Sequence, residues 1–380
     1  MRGDFLKLGF FTDTYLPNRD GVVRVILNTK EVIERKGHRV YTFAPYGNEK
    51  TNVDEDNDVF YYHSASFFPY PDYRVALFPF FAYKRAQKVG VEIVHSHGVA
   101  TMGIAALKTA RMLRVGSVAT FHTLLPNAAR YIGGSWFLEG ITKRAIWRYL
   151  EWYYSQFERV ISPTNYTKKI LQKHGIEAVV LPSGVDTARF TPNKKLGERI
   201  KKKWGICGKK VALYLGRIAR EKRLEIFFEA ASKINKESEI FFVVAGKGPA
   251  LDYYRAMAER MNISGKVIFT GFVPEDQLSA YYNAADVFIM PSSFETQGLS
   301  ALEALACGVP ICVERDSATA EFVKNGKNGG LFSDAEECAE SILKISTQKI
   351  KMKEFARKTA LEYSNEKMVG KLLELYKQLI

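Results

Sequence analysis

Short apolar runs alternate with stretches of helical periodicity along most of this chain. Leu6 to Phe11 suits one buried strand and Val40 to Ala44 a second. Between them Val22, Val23, Ile26, Leu27 and Val32 recur at helical spacing from Val22 to Lys36, and Gly37 stops the helix. Strand, loop, helix and strand make one βαβ unit. The same reading gives strand ends at Ile93–His97, Ser117–Thr123 and Val160–Asn165, a small-residue helix from Thr101 to Leu113, and a strand entering a turn from Val179 to Asp186. After the charged stretch Lys194 to Lys203 the pattern restarts. Its strands begin at Val211, Phe241, Val267, Ala285 and Ile311, and a helix from Leu299 to Cys307 is closed by Gly308 and Pro310. Near-continuous apolar strands belong to parallel sheets covered on both faces. The pattern predicts two α/β domains, residues 1–190 and 191–363, with an amphipathic helix over 364–380 that packs back on the first.

Three segments break this rhythm. Ser66 to Phe81 is dense in aromatics and proline, which predicts an irregular loop, packed on the core or laid against something apolar. Trp136 to Phe157 mixes Trp147, Trp152 and several tyrosines with Lys143, Arg144 and Arg148. A basic aromatic helix suits an anionic membrane surface, a single-stranded nucleic acid, or a core with a snorkelling basic rim. Asp54 to Asp58 begins like a calcium loop, but Val59 and Ala65 occupy the positions of the turn glycine and the bidentate glutamate, so it reads as a solvated acidic loop.

Composition changes the picture in one respect. Hydrophobic residues make up 47% and charged residues 25%, ordinary for a globular protein, but the net charge is +14. That excess points to an anionic partner: nucleic acid, a nucleotide or a membrane. The charged start does not resemble a signal peptide, and no apolar run reaches spanning length. Cys207, Cys307, Cys312 and Cys338 form no C-x-x-C pair and are read as reduced, buried thiols of a cytosolic protein.

The chemistry concentrates between Met290 and Pro310. Gly298, Leu299 and Ser300 mark a helix start, where free backbone N–H groups and the positive end of the helix dipole favour an anion. Glu295 precedes that helix and Glu303 lies just over one turn inside it. Phosphates want the helix terminus, and sugar hydroxyls want carboxylates. A nucleotide diphosphate sugar offers both. Arg217 and Lys222 follow a strand end at Gly216, where fixed cations would stabilise the charge that builds on a departing diphosphate. Gly246-Lys247-Gly248 is half a dinucleotide fingerprint, and Gly21 opens a helix where a ligand could approach backbone. His95, His97 and His122 lie at neighbouring strand ends. Their H-x-H spacing plus one distant histidine makes a poor zinc set, and His122 is read as a residue near substrate.

Together these motifs resemble retaining glycosyltransferases of family 4. They are Asp20-Gly21-Val22, Thr120-Phe121-His122-Thr123, Leu181 to Asp186, Gly216-Arg217 with Glu221-Lys222, Ala245 to Pro249, and Phe294-Glu295 with Glu303, in the family's order over nearly the whole chain. The resemblance implies the GT-B fold: two facing Rossmann-like, doubly wound domains with a deep interdomain cleft. It implies that Arg217 and Lys222 hold the diphosphate, that Gly298, Leu299 and Ser300 give backbone contacts, and that Glu295 binds sugar hydroxyls and Glu303 the ribose. Gly216 and Gly246 join the donor-binding set, Gly21 lies near the diphosphate, and His122 sits beside the sugar. The catalytic set is then His122, Arg217, Lys222 and Glu295, with no metal required. Two departures stand out: Asp20 where many members carry a first glycine, and Thr296-Gln297 after Glu295.

The first loop and Pro71 to Val75 look closest to members that glycosylate membrane lipids, of the diacylglycerol glucosyltransferase and phosphatidylinositol mannosyltransferase type. The likeness implies a donor of UDP-glucose or GDP-mannose type and a lipid acceptor. Tyr73, Arg74, Lys143, Arg144, Trp147 and Arg148 would meet acceptor or membrane on the inner face of the cell membrane. A soluble sugar acceptor is the alternative. A nucleic-acid partner leaves the phosphate and sugar constellation unexplained, so none is expected, and an epimerase would consume donor without any acceptor.

Overall fold

The computed structural model describes residues 5–18, 20–46, 58–67, 70–126, 136–234 and 238–380, with backbone alone at 67, 70–73 and 136–139. Residues Asp54 to Asn57 of the acidic loop and the side chains of Tyr73 and Trp136 lie outside the described residues. The chain divides into two compact units, Met1–Gly184 with Asn365–Ile380, and Val185–Ser364.

The first unit's strands, among the described residues, are β1 (Lys7–Phe11), β2 (Arg39–Pro45), β3 (Val59–Tyr62), β4 (Ser64–Phe67), β5 (Tyr70–Ala76), β6 (Ile93–Ser96), β7 (Gly116–Thr120), β8 (Arg159–Ser162) and β9 (Val179–Val180). Seven of them form one sheet in the order β3-β2-β1-β6-β7-β8-β9. The second unit carries β10 (Lys210–Leu215), β11 (Ile240–Ala245), β12 (Val267–Gly271), β13 (Val287–Met290), β14 (Ile311–Glu314) and β15 (Gly329–Phe332), ordered β12-β11-β10-β13-β14-β15. Neighbours in both sheets pair in parallel. Both orders are the Rossmann order, which reverses direction once, after β1 and after β10.

Each sheet is buried on two faces, and that is why its strands read as apolar runs. In β10, Val211, Leu213 and Leu215 enter one core while Ala212 and Tyr214 enter another. In β1, Leu8 and Phe10 face one layer and Phe11 the opposite one. Helix starts are fixed by side chains. Asp20 accepts from Val23 N at 2.9 Å and caps the Gly21–Arg35 helix, and Thr14 holds its other oxygen at 2.8 Å. Asp13 accepts from Ala100 and Met102 at the start of the Thr101–Leu113 helix. Its burial raises the carboxyl above the usual range despite those bonds.

The Asn365–Lys377 helix is part of the first unit. Its Val369, Leu372, Leu373 and Tyr376 share a core with Val23, Ile26 and Leu8, and Glu366 pairs with Arg35 at 2.7 Å.

The structure departs from the sequence reading in three places. Part of the proline-rich aromatic stretch is strand rather than irregular loop: among the described residues β4 and β5 form an antiparallel two-stranded ribbon, and only the residues after Ala76 leave it. Pro71 is tolerated there because a two-stranded ribbon leaves half of each strand's backbone groups unpaired. Cys207 is exposed, while Cys307, Cys312 and Cys338 are buried. The third departure concerns Trp147, described with its site below.

Candidate functional site

In the second unit the sheet order reverses between β10 and β13, and the loops leaving them diverge. A crevice at the carboxyl ends of such strands is where open α/β sheets take ligands. The loop after β10 carries Gly216 and Arg217, and the turn Arg220–Lys222 follows. The loop after β13 carries Glu295 and leads into the Leu299–Ala306 helix. Lys222 Nζ meets Glu295 Oε1 at 2.6 Å, joining the two loops directly. Both side chains keep about a fifth of their surface in solvent, at 20% and 22%. The Tyr214 hydroxyl donates to the Arg217 carbonyl at 2.8 Å. Burial and the nearby Glu295 charge push that phenol well above its usual pKa. The Arg217 side chain is exposed and forms no ion pair among the described residues.

Glycine is required at two points of this loop cluster. Gly246 has φ +144°, and a Cβ there would come 1.9 Å from the Gly216 carbonyl oxygen, so the loops after β10 and β11 touch backbone to backbone. Gly298 has φ +87° at the cap of the Leu299–Ala306 helix, where a Cβ would strike Thr319 Oγ1. Its N-cap residue is Gly298, which has no side chain to offer the first-turn N–H groups. Leu299 and Ser300 stand in its first turn, the end of a helix whose backbone N–H groups and dipole favour an anion. Glu303 is buried at 4% exposure and accepts from the Tyr282 hydroxyl at 2.7 Å. Tyr282 was not singled out from the sequence, because a contact 21 residues away leaves no local signal.

In the first unit the corresponding reversal lies between β1 and β6, and histidines gather there. His95 is fixed through both ring nitrogens, to Thr120 Oγ1 at 2.7 Å and to the Tyr376 hydroxyl at 2.5 Å. His97 Nδ1 and His122 Nε2 are 3.0 Å apart. Burial pulls His122 down to about 4 and His95 to about 3, with His97 also well below its ordinary value, so all three rings are neutral at pH 7. His97, His122, Thr29, Ser183 and Leu372 line one small cavity of this unit. Among the described residues no three His, Cys, Asp or Glu side chains are grouped to hold a metal ion. Gly21 is the first, exposed residue of its helix, with the Asp20 carboxylate across the helix start.

On the surface, Lys143, Arg144 and Arg148 are exposed along the Trp136–Tyr154 helix. Trp147 is not with them. It is 8% exposed, packs with Leu150, Tyr153 and Phe157, and stacks on His174 at 3.6 Å. Among the described residues the exposed aromatics of this helix are Trp152, at 49% exposure, and Tyr149, at 37%. Spacing carries this signal: Trp147, Leu150, Tyr154 and Phe157 recur on one helical face and position 152 falls off it. Arg74 is tied into the ribbon, donating to Ser64 Oγ and the Ser64 carbonyl at 2.8 Å each. Just beyond the ribbon, Leu77, Phe78, Phe80 and Phe81 are all exposed, and Lys84 and Lys108 stand over the Phe81 ring at 5.2 and 5.6 Å. Among the described residues no helix is long and apolar enough to cross a membrane.

Comparison with known proteins places these features in context. Residues 19–189 match the model of Glycosyltransferase Family 4, and residues 197–361 that of Glycosyl transferases group 1. The chain is 31% identical over 347 residues to the alpha-monoglucosyldiacylglycerol synthase of Streptococcus pneumoniae, covering 89% of this chain and 78% of that one. It is 26% identical over 343 residues to a GDP-mannose-dependent alpha-mannosyltransferase of Corynebacterium glutamicum, covering 86% and 76%. In fold it is similar to Anabaena HepE, crystallised in complex with UDP, with a TM-score of 0.77 at 16% identity over 98% of this chain and 100% of that one.

Proposed function

This chain belongs to the glycosyltransferases of family 4, and on that footing we propose that it moves a hexose from a nucleotide diphosphate sugar to a membrane lipid, with retention at the anomeric carbon. The observation that carries the reading is the second unit's loop cluster. A cation and a carboxylate, Lys222 and Glu295, meet at the sheet's reversal point, in a loop that leads to the helix start at Gly298. Lys222 and Arg217 take the diphosphate, with Gly216, Gly246, Gly298, Leu299 and Ser300 giving backbone approach. Glu295 takes sugar hydroxyls and Glu303 the ribose. Gly21 and His122 keep the roles that the family resemblance gives them, beside the diphosphate and the sugar. The bond from anomeric carbon to phosphate oxygen breaks, the acceptor hydroxyl attacks from the same face, and its proton passes to the departing phosphate oxygen. No residue of the chain is needed as a covalent nucleophile. Glucose and mannose donors both fit this scheme, and the relatives named above use each sugar by name.

A lipid acceptor is supported by the synthase relative and by the surface of the first unit. Exposed Lys143, Arg144 and Arg148 with Trp152, and the turn Leu77 to Phe81 beside Lys84 and Lys108, suit the headgroup layer of an anionic bilayer. The protein then works peripherally at the cytoplasmic face of the membrane. The test is nucleotide release from UDP-glucose and GDP-mannose, measured with anionic vesicles containing diacylglycerol or phosphatidylinositol and with soluble sugars. One donor with lipid vesicles is expected to give the highest rate. A faster reaction with a soluble sugar than with every lipid would replace the acceptor, and release independent of any acceptor would replace the reaction.

A further inference from the structure

His97 and His122 share one hydrogen bond between ring nitrogens 3.0 Å apart, so one ring donates and the other accepts. Which one donates is decided by the far side of His97. Its Nε2 is buried and meets no hydrogen-bond partner among the described residues. A neutral imidazole carries one N–H and one bare lone pair. An unpaired buried N–H is the rarer of the two and costs the full desolvation of a donor, whereas an under-used acceptor is better tolerated. The proton of His97 therefore belongs on Nδ1, pointing at His122.

From this geometry we infer that His97 is a positioning residue: it donates from Nδ1 to His122 Nε2 and thereby holds His122 as the Nδ1–H tautomer. His122 then carries its proton at Nδ1, and its basic nitrogen is taken up by His97. The arrangement is braced from behind. The His95 ring lies 4.1 Å from His97, with both of its own nitrogens engaged, and Phe10 meets His97 edge-on at 4.8 Å. His97 itself is 6% exposed. A ring so packed loses little further freedom when it orients a neighbour. Resting on the reading that His122 lies beside the donor sugar, this removes the lone pair of His122 Nε2 from any role as a general base. It leaves proton acceptance to the departing phosphate.

Nitrogen-15 NMR of the histidine-labelled full chain at pH 7 tests the assignment directly. Protonated Nδ1 and bare Nε2 are expected for both rings. His97→Phe keeps the ring packing and removes both nitrogens. It is expected to release His122 toward the Nε2–H form and to lower kcat about tenfold, with KM for the donor within about twofold. His97→Asn, whose amide N–H can stand in for Nδ1, is expected to restore both. An Nε2–H form of His122 in the unaltered protein overturns the inference, as does a His97→Phe variant with unchanged tautomer and kcat. Should His97→Phe not fold, the spectrum of the unaltered chain and the His97→Asn rates decide. His122→Ala separates the two readings: full activity there removes His122 from the reaction, while the observed tautomer still decides the role of His97.

Discussion

Lys222 and Glu295 hold each other at 2.6 Å in a setting that is neither buried nor fully open. Such a pair adds about 1 kcal/mol or less to stability. On the proposed function, its value lies in placing one cation and one carboxylate where a diphosphate sugar would need them. Lys222→Ala is therefore expected to lower kcat/KM about a hundredfold or more, since a preorganised charge on the leaving group is removed. Melting temperature is expected to shift by no more than about 4 °C, a split that rate assays and thermal denaturation check together. At this scale the sequence showed the acids and cations, because Glu295, Glu303, Arg217 and Lys222 sit at fixed offsets from strand ends. It did not show their partners. Tyr282 reaches Glu303 from 21 residues away, and Tyr376 reaches His95 across 281. Such contacts exist only after the layers have packed.

Elements were legible where one periodicity ruled and blurred where two competed. Most strands of both sheets and the Gly21–Arg35 and Leu299–Ala306 helices follow the apolar pattern closely, whereas the edge strands β3 and glycine-led β15 were not marked by it. The basic, aromatic composition of the Trp136–Tyr154 helix suggests an exposed Trp147, whereas the spacing of Trp147, Leu150, Tyr154 and Phe157 is what carries its burial. The stretch Ser66 to Phe81 carried prolines that argue against a central strand, yet a ribbon standing outside the main sheet accommodates them. If the basic helix and the aromatic turn meet an anionic bilayer, each cation contributes about 1 kcal/mol there. Lys143→Glu, Arg144→Glu and Arg148→Glu together are expected to weaken sedimentation with phosphatidylglycerol vesicles about a hundredfold, leaving nucleotide affinity unchanged. Phe78→Ser with Phe81→Ser is expected to reduce vesicle binding while preserving its salt dependence. Loss of nucleotide binding in either set would mean that the changes disturbed the fold rather than a docking surface.

For the whole chain, the repeated α/β pattern announced two domains, but it could not show which residues complete each. The first unit is assembled from two separate pieces of sequence, Met1–Gly184 and Asn365–Ile380, whereas Val185–Ser364 is continuous. Val369, Leu372, Leu373 and Tyr376 lie in the first unit's core. Burial of each contributes about 2 kcal/mol, so their sum is comparable with the roughly 5–15 kcal/mol net stability of a domain. Truncation after Ser364 is expected to abolish the first unit's unfolding transition in calorimetry. Residues 185–364 alone are expected to melt cooperatively. Two intact transitions in the truncated protein would contradict the assignment of the helix to that core.

That split membership sets an order of events at the ribosome. The first unit leaves the exit tunnel early but lacks one of its helices until residues 365–377 have been translated, long after its sheet has emerged. The apolar groove that Tyr376 and Leu372 will fill is open throughout that interval. Nascent chains of this protein should therefore present a hydrophobic surface to chaperones for the whole time it takes to make the second unit.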